Sequence, residues 1–146
     1  MSKTVTMIPV RMASQRFPNK PLCDIKGKTL IQRVYEHVMA TNAGDVIIAA
    51  GDKEIVDHCK TFGAEAILTD PKLPSGTDRI AAALKEIDPS GTNYDYVVNF
   101  QGDNINVDPE INLKLIDLMK RTGADLTTAC KIITDEAQKT DPNIVK

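Results

Sequence analysis

Thr4-Val5-Thr6-Met7-Ile8-Pro9-Val10-Arg11-Met12-Ala13-Ser14-Gln15-Arg16-Phe17-Pro18-Asn19-Lys20-Pro21-Leu22 is the stretch on which the reading of this chain turns. Its opening, Thr4–Ile8, is apolar or β-branched and reads as a buried strand that Pro9 ends. The chain is then irregular as far as Lys28, and Arg11, Arg16 and Lys20 fall within ten residues of one another. Pro9, Pro18 and Pro21 restrict the same segment. Open α/β sheets take their ligands beyond the carboxyl ends of their strands, so this loop leaves the sheet where a ligand is expected. Cations on a loop already stiffened by proline can surround a triphosphate at small entropic cost. Arginine offers a planar fork to phosphate oxygens and lysine a compact charge. A solvated basic loop with no ligand would have the same composition, and on these residues alone the two readings stand level.

Working outward, short β-branched runs alternate with segments of helical period. Leu30, Ile31, Val34, Tyr35, Val38 and Met39 recur at helical spacing, and Gly44 is expected to close that helix. Val46–Ala50 reads as a second strand, and Lys53–Phe62 as a helix with Ile55, Val56, Cys59 and Phe62 inward and Gly63 as its cap. Ala66–Leu68 is a brief third strand. Ser75 and Asp78 suggest a capping box for a helix ending near Ile87. Tyr96–Phe100 is a fourth strand, Asp108 and Pro109 open a helix through Arg121, and Leu126–Ile133 is a fifth strand. Such alternation predicts an α/β fold with a mostly parallel sheet, in one domain covering 1–146. Ile144 and Val145 read as the start of a further strand, so the sheet is expected to be cut short at its C-terminus.

The bulk numbers set limits. A chain of 146 residues, 42% apolar and 26% charged, suits one soluble core. A net charge of −2 argues against general nucleic-acid binding. The charge is uneven, however: Lys3, Arg11, Arg16 and Lys20 all precede the first acidic residue, Asp24. A basic segment in an acidic protein suggests a small anionic ligand held in one place. The first residues lack a secretion pattern, and no apolar run approaches the roughly 20 residues that span a bilayer. Cys23, Cys59 and Cys130 are odd in number and widely spaced. Neither a disulfide framework nor a zinc site is expected, which fits a cytoplasmic protein.

Two further segments carry candidate chemistry. Pro74-Ser75-Gly76-Thr77-Asp78-Arg79 begins a helix, where free N–H groups favour a polar or anionic ligand and Gly76 permits close approach. A cation in that first turn, Arg79, is unfavourable unless something negative lies near it. On these residues alone, an ordinary capped helix start is the better reading of the segment. Asn99-Phe100-Gln101-Gly102-Asp103 ends the fourth strand, and a carboxylate there could hold Mg²⁺ against nucleotide phosphates. A plain Gly-Asp turn is the alternative. There is neither a Gly-x-x-x-x-Gly-Lys-Ser/Thr loop nor a Gly-x-Gly-x-x-Gly turn, which disfavours P-loop kinases and Rossmann dehydrogenases. His37 and His58 read as structural or exposed, and Asp52 as a helix N-cap rather than a ligand contact.

Taken in order, these segments resemble the CMP-Kdo synthetases, the 3-deoxy-manno-octulosonate cytidylyltransferases. Ile8–Leu22 is similar to that family's I-P-A-R-x-A-S-T-R-L-P-x-K-P-L loop, Ser75–Arg79 to its S-G-T-[DE]-R element and Asn99–Asp103 to its N-x-Q-G-D element. Asp141–Lys146 resembles its [DN]-P-N-x-V-K, and the likeness runs from about residue 5 to the end. The resemblance implies a three-layer, Rossmann-like fold of the nucleotide-diphospho-sugar transferase type. It implies that Arg11, Ser14, Arg16 and Lys20 hold the CTP triphosphate. Ser75, Gly76, Thr77, Arg79 and Gln101 would line the nucleotide and sugar-acid pocket, and Asp103 would bind Mg²⁺. Arg11, Lys20 and Asp103 would carry the catalysis: transfer of CMP from CTP to Kdo with loss of pyrophosphate, for lipopolysaccharide biosynthesis. A homodimer is implied for full-length members.

The likeness has departures. The family continues Q-G-D with Glu-Pro and an apolar pair, whereas here Asn104-Ile105-Asn106-Val107 follows. Val10, Gln15 and Phe17 replace a usual Ala, Thr and Leu. Family members are substantially longer, and their remaining part brings a second metal carboxylate and most of the dimer interface. A truncated, catalytically silent CTP-binding module is therefore the competing expectation. A sialic-acid cytidylyltransferase is a third, disfavoured because its Gly-Gly-Ser-Lys loop is absent.

Overall fold

A computed structural model describes residues 3–13, 17–142 and 144. In chain order the elements are β1 (Thr4–Val10), a short 3-10 turn (Lys20–Leu22), β2 (Asp24–Ile25), β3 (Lys28–Thr29), α1 (Leu30–Met39), β4 (Asp45–Ala50), α2 (Lys53–Thr61), β5 (Glu65–Leu68), α3 (Gly76–Ile87), β6 (Tyr96–Asn99), α4 (Ile111–Thr122) and α5 (Glu136–Thr140). Contacts divide the chain into Met1–Leu113 and Lys114–Lys146. The sheet and the site described below lie in the first unit.

Every residue of β1 is buried, because it runs between two other strands with helices over both faces. The main sheet has the order β5-β4-β1-β6, and all three pairings are parallel. Side chains alternate across β1. Ile8 and Val10 pack with Ile48, α1 and α2 on one face, while Val5 and Met7 pack with Ile47 and the α3 residues Ile80 and Ala83 on the other. The result is three layers. Fully buried aliphatics such as Ile8, Ile31 and Ile55 each stabilise the fold by about 1.5–3 kcal/mol. Cys59 belongs to the same core, and burial pushes its thiol up to about 11.

Several expectations shift by a residue or two, and some fail. Pro9 lies inside β1 instead of ending it. Its missing N–H falls on the β6 side, where pairing has already stopped at Met7–Asn99, while the β4 side continues to Val10–Ala50. Gly44 does not cap α1; the helix ends at Met39, and Gly44 enters β4 with φ 129°. The stretch read as irregular contains the β2–β3 hairpin, turned by Lys26 and Gly27 at φ 51° and 82°. Residues 108–110 form a turn, so α4 starts later than Pro109 suggested.

The larger correction concerns the second unit: no strand forms along Leu126–Ile133. Leu126 and Ile132 are 79% and 84% exposed. A β-branched run becomes a strand only against a partner, and this run has no paired strand among the described residues. α5, capped by the Asp135 side chain on the Ala137 N–H, was not anticipated. Ile144 sits in a bend, and Val145 lies outside the described residues.

Candidate functional site

Strand order reverses at β1, since β4 and β5 extend the sheet one way and β6 is added on the other side. The carboxyl ends of strands flanking such a switch point leave a crevice. Here the crevice is a cleft of about 1330 Å³ whose walls are the loop after β1, the start of α3 and the end of β6.

The loop wall carries two cations, Arg11 and Lys20. Arg11 is exposed and lines the cleft. The chain returns through Asn19, which adopts φ 58° and donates its N–H to the Met12 carbonyl at 3.3 Å. Buried Pro21 then fixes the 3-10 turn, with Lys20 at its start. Lys20 Nζ donates to Asp103 Oδ2 at 2.6 Å, bridging the loop and the end of β6. Both side chains stay partly exposed, 37% and 52%, so the pair itself contributes only about 0–1 kcal/mol to stability. Its significance is positional: residues 83 apart in sequence meet at the cleft.

The α3 wall is built differently. The Ser75 hydroxyl accepts from the Asp78 N–H at 3.1 Å and donates to the Asp78 carboxylate at 2.5 Å, so the expected cap forms. Gly76 lies against Pro9, near the Gln101 amide. Arg79 lines the cleft yet is 2% exposed. Its Nη1 donates to Thr69 Oγ1 at 2.6 Å and to the Asp70 carbonyl at 3.1 Å, and Nη2 reaches the Pro71 carbonyl at 3.5 Å. These acceptors, together with the nearby Asp52 and Asp70 carboxylates, explain how a guanidinium is tolerated in a helix's first turn. Burial lowers its pKa and Arg11 adds to the effect, while Asp52 and Asp70 oppose it. Gly51 makes the arrangement possible: a Cβ there would stand 2.7 Å from Arg79 Nη1 and 3.0 Å from Arg11 Cβ.

At the end of β6, Gln101 Nε2 donates to Asn99 Oδ1 at 2.7 Å, which fixes the amide at the cleft rim. Gly102 follows, where a Cβ would fall 2.2 Å from Val10 Cγ1, so only glycine lets this turn approach β1. The Ile105 N–H donates to the Asp103 carbonyl, Ile105 packs on the α1–α2 core, and His37 Nε2 contacts the Val107 carbonyl at 3.0 Å. The Asn104–Val107 departure is thus anchored on α1.

Of the residues expected at the site, Arg11, Lys20, Ser75, Gly76, Arg79, Gln101 and Asp103 line one cleft. Thr77 is exposed and is not among the lining residues. Ser14 and Arg16 lie outside the described residues. Asp52 corrects its expectation: it holds the N-cap position of α2 without a side-chain cap bond, and its carboxylate instead accepts from the Met12 N–H at 2.7 Å. Gly51 escapes the sequence reading and Asp52 is misassigned by it, because their importance lies across the sheet rather than along the chain.

Among the described residues, no three His, Cys, Asp or Glu side chains could jointly hold a metal. Among those residues, Asp103 alone lines the cleft with a carboxylate. Mg²⁺ at nucleotide sites commonly uses one or two carboxylates and takes its remaining oxygens from phosphates and water. Asp103 therefore fits a metal that arrives with a triphosphate.

A family model described as Cytidylyltransferase matches residues 5–146. The 3-deoxy-manno-octulosonate cytidylyltransferase of Parvibaculum lavamentivorans is 44% identical over 97% of this chain and 55% of its own length. That of Brucella anthropi is 42% identical over 99% and 57%. The chain thus spans little more than half the length of these curated relatives. Among solved structures, a CMP:2-keto-3-deoxy-manno-octonic acid synthetase complexed with CTP matches with a TM-score of 0.76 and 35% identity, over 84% of this chain and 49% of that one. A 4-diphosphocytidyl-2C-methyl-D-erythritol synthase, 14% identical with a TM-score of 0.63 over 84% and 56%, shares the fold alone. With a family model matching it from residue 5 to residue 146, the chain belongs to the cytidylyltransferase family.

Proposed function

We propose that this chain is the nucleotide-binding part of a CMP-Kdo synthetase, which transfers CMP from CTP to Kdo and releases pyrophosphate. The observation that carries the reading is the meeting of Lys20 and Asp103 at a cleft that Arg11 also lines. The anomeric hydroxyl of Kdo attacks the α-phosphorus and releases its proton to solvent, the bond to the bridging oxygen breaks, and pyrophosphate departs with that electron pair. Such a displacement rests on positioning and charge neutralisation. Arg11 and Lys20 neutralise the triphosphate, with Ser14 and Arg16 assigned to the same role by the motif. Ser75, Gly76, Thr77 and Gln101 border the nucleotide and sugar acid, and Arg79 holds a fixed positive charge behind them. Asp103 would hold Mg²⁺, which supplies Lewis-acid polarisation of the phosphate when bound.

The acceptor is Kdo or its 8-amino analogue, and the product feeds lipopolysaccharide assembly in the cytoplasm. No helix of the described residues is long and apolar enough to cross a membrane. A homodimer is the assembly proposed for the full-length protein. A second reading, a CTP-binding module silent by itself, is favoured by the coverage of only 55–57% of the curated relatives' length. Pyrophosphate release from CTP plus Kdo, measured beside a CTP titration, separates them. Turnover supports the enzyme, binding without turnover supports the silent module, and no binding refutes both.

A further inference from the structure

The β1–β4 ladder runs in register to Val10–Ala50 and adds one more bond, Gly51 N–H to the Val10 carbonyl at 2.9 Å. In a regular parallel ladder the next bond would run from the Met12 N–H to the Gly51 carbonyl. Here the Met12 N–H turns to Asp52 Oδ2 instead, at 2.7 Å. The Asp52 backbone is itself fixed, since its carbonyl accepts from the Ile55 N–H at the start of α2. The Met12 side chain packs on the α1–α2 core. Arg11 is therefore clamped on both sides: Val10 is held by the ladder, and Met12 by a carboxylate and by packing. Its side chain alone is left to face the cleft.

We infer that Asp52 is a positioning residue of this cytidylyltransferase site, setting where the basic loop leaves the sheet and so the direction from which Arg11 meets the triphosphate. The inference rests on the nucleotide reading above but acts through the loop backbone. A carboxylate spent on capping α2 would be silent toward the loop, and that capping bond is missing. A charge-assisted bond from a carboxylate to a backbone N–H is among the stronger single contacts available for holding a loop.

Amide exchange at Met12 and CTP affinity in the presence of Mg²⁺ test this together. In Asp52→Ala, the Met12 amide is expected to exchange about tenfold faster and the CTP Kd to rise about tenfold, with exchange in β4 unchanged. Asp52→Asn keeps an acceptor oxygen in place and should stay within about threefold of the parent in both readouts. If Asp52→Ala does not fold, Asp52→Ser, too short to span the gap, carries the same expectations. Unchanged Met12 exchange or unchanged CTP affinity in the short-side-chain variant overturns the proposal. So does Asp52→Asn that loses CTP affinity while Met12 stays protected, because the charge would then act on the ligand directly. Should the parent take up no CTP, the nucleotide reading fails, while the exchange arm still decides whether Asp52 pins the loop.

Discussion

The two walls of the cleft hold their cations in opposite ways. On the α3 wall, Arg79 is almost wholly buried and already bonded to a hydroxyl and two carbonyls. On the loop wall, Arg11 is exposed and Lys20 is tied by one partly exposed ion pair. The first charge is part of the fold and must be in place before any ligand arrives. The second set can exchange its partner for phosphate oxygens at little cost, because a surface pair contributes little. Fixed charge behind and exchangeable charge in front is an arrangement suited to gripping and then releasing a triphosphate.

Substitutions should separate the walls cleanly. The largest effect is expected for Lys20→Ala, with CTP affinity falling by about a hundredfold on loss of a charge-assisted phosphate contact. The denaturation midpoint should barely move, and a titration beside an unfolding curve checks both halves. Next comes Arg79→Met. It leaves the Thr69 hydroxyl and the Asp70 carbonyl without their donor and should cost about 1–3 kcal/mol in urea unfolding. Ser75→Ala removes the α3 cap, and the same measurement should show about 1 kcal/mol. Smallest is Asp103→Asn, whose effect on stability should stay below about 1 kcal/mol although the metal-dependent part of CTP binding is lost. If Lys20→Ala proved as destabilising as Arg79→Met, the contrast between the walls would be wrong.

Much of this was legible in the chain, for reasons that differ by element. β1, β4 and the helices α1, α2 and α3 are long or strongly patterned, and each buries most of the face its period marks, Met39 at the end of α1 staying exposed. The site segments were legible because each sits at a strand end or helix start, where local rules apply. The Leu126–Ile133 run misled because strand propensity says nothing about whether an edge is present to pair with. Asp52 misled because a carboxylate just before a helix reads locally as a cap, whereas its real partner lies 40 residues upstream. Gly51 gave no local sign at all; its lack of a Cβ matters only against Arg79 and Arg11. Arg79 reads as a cation needing compensation, and it finds both the neutral oxygens of Thr69–Pro71 and the nearby carboxylates of Asp52 and Asp70.

Both walls are expected to meet a single ligand. An amide-resolved NMR titration of the chain with CTP and Mg²⁺ tests that most directly. Saturating shifts at Arg11 and Lys20 on one side, and at Gly76 and Gln101 on the other, with one shared affinity, are the predicted result. Shifts confined to one wall, or none at either, would contradict it.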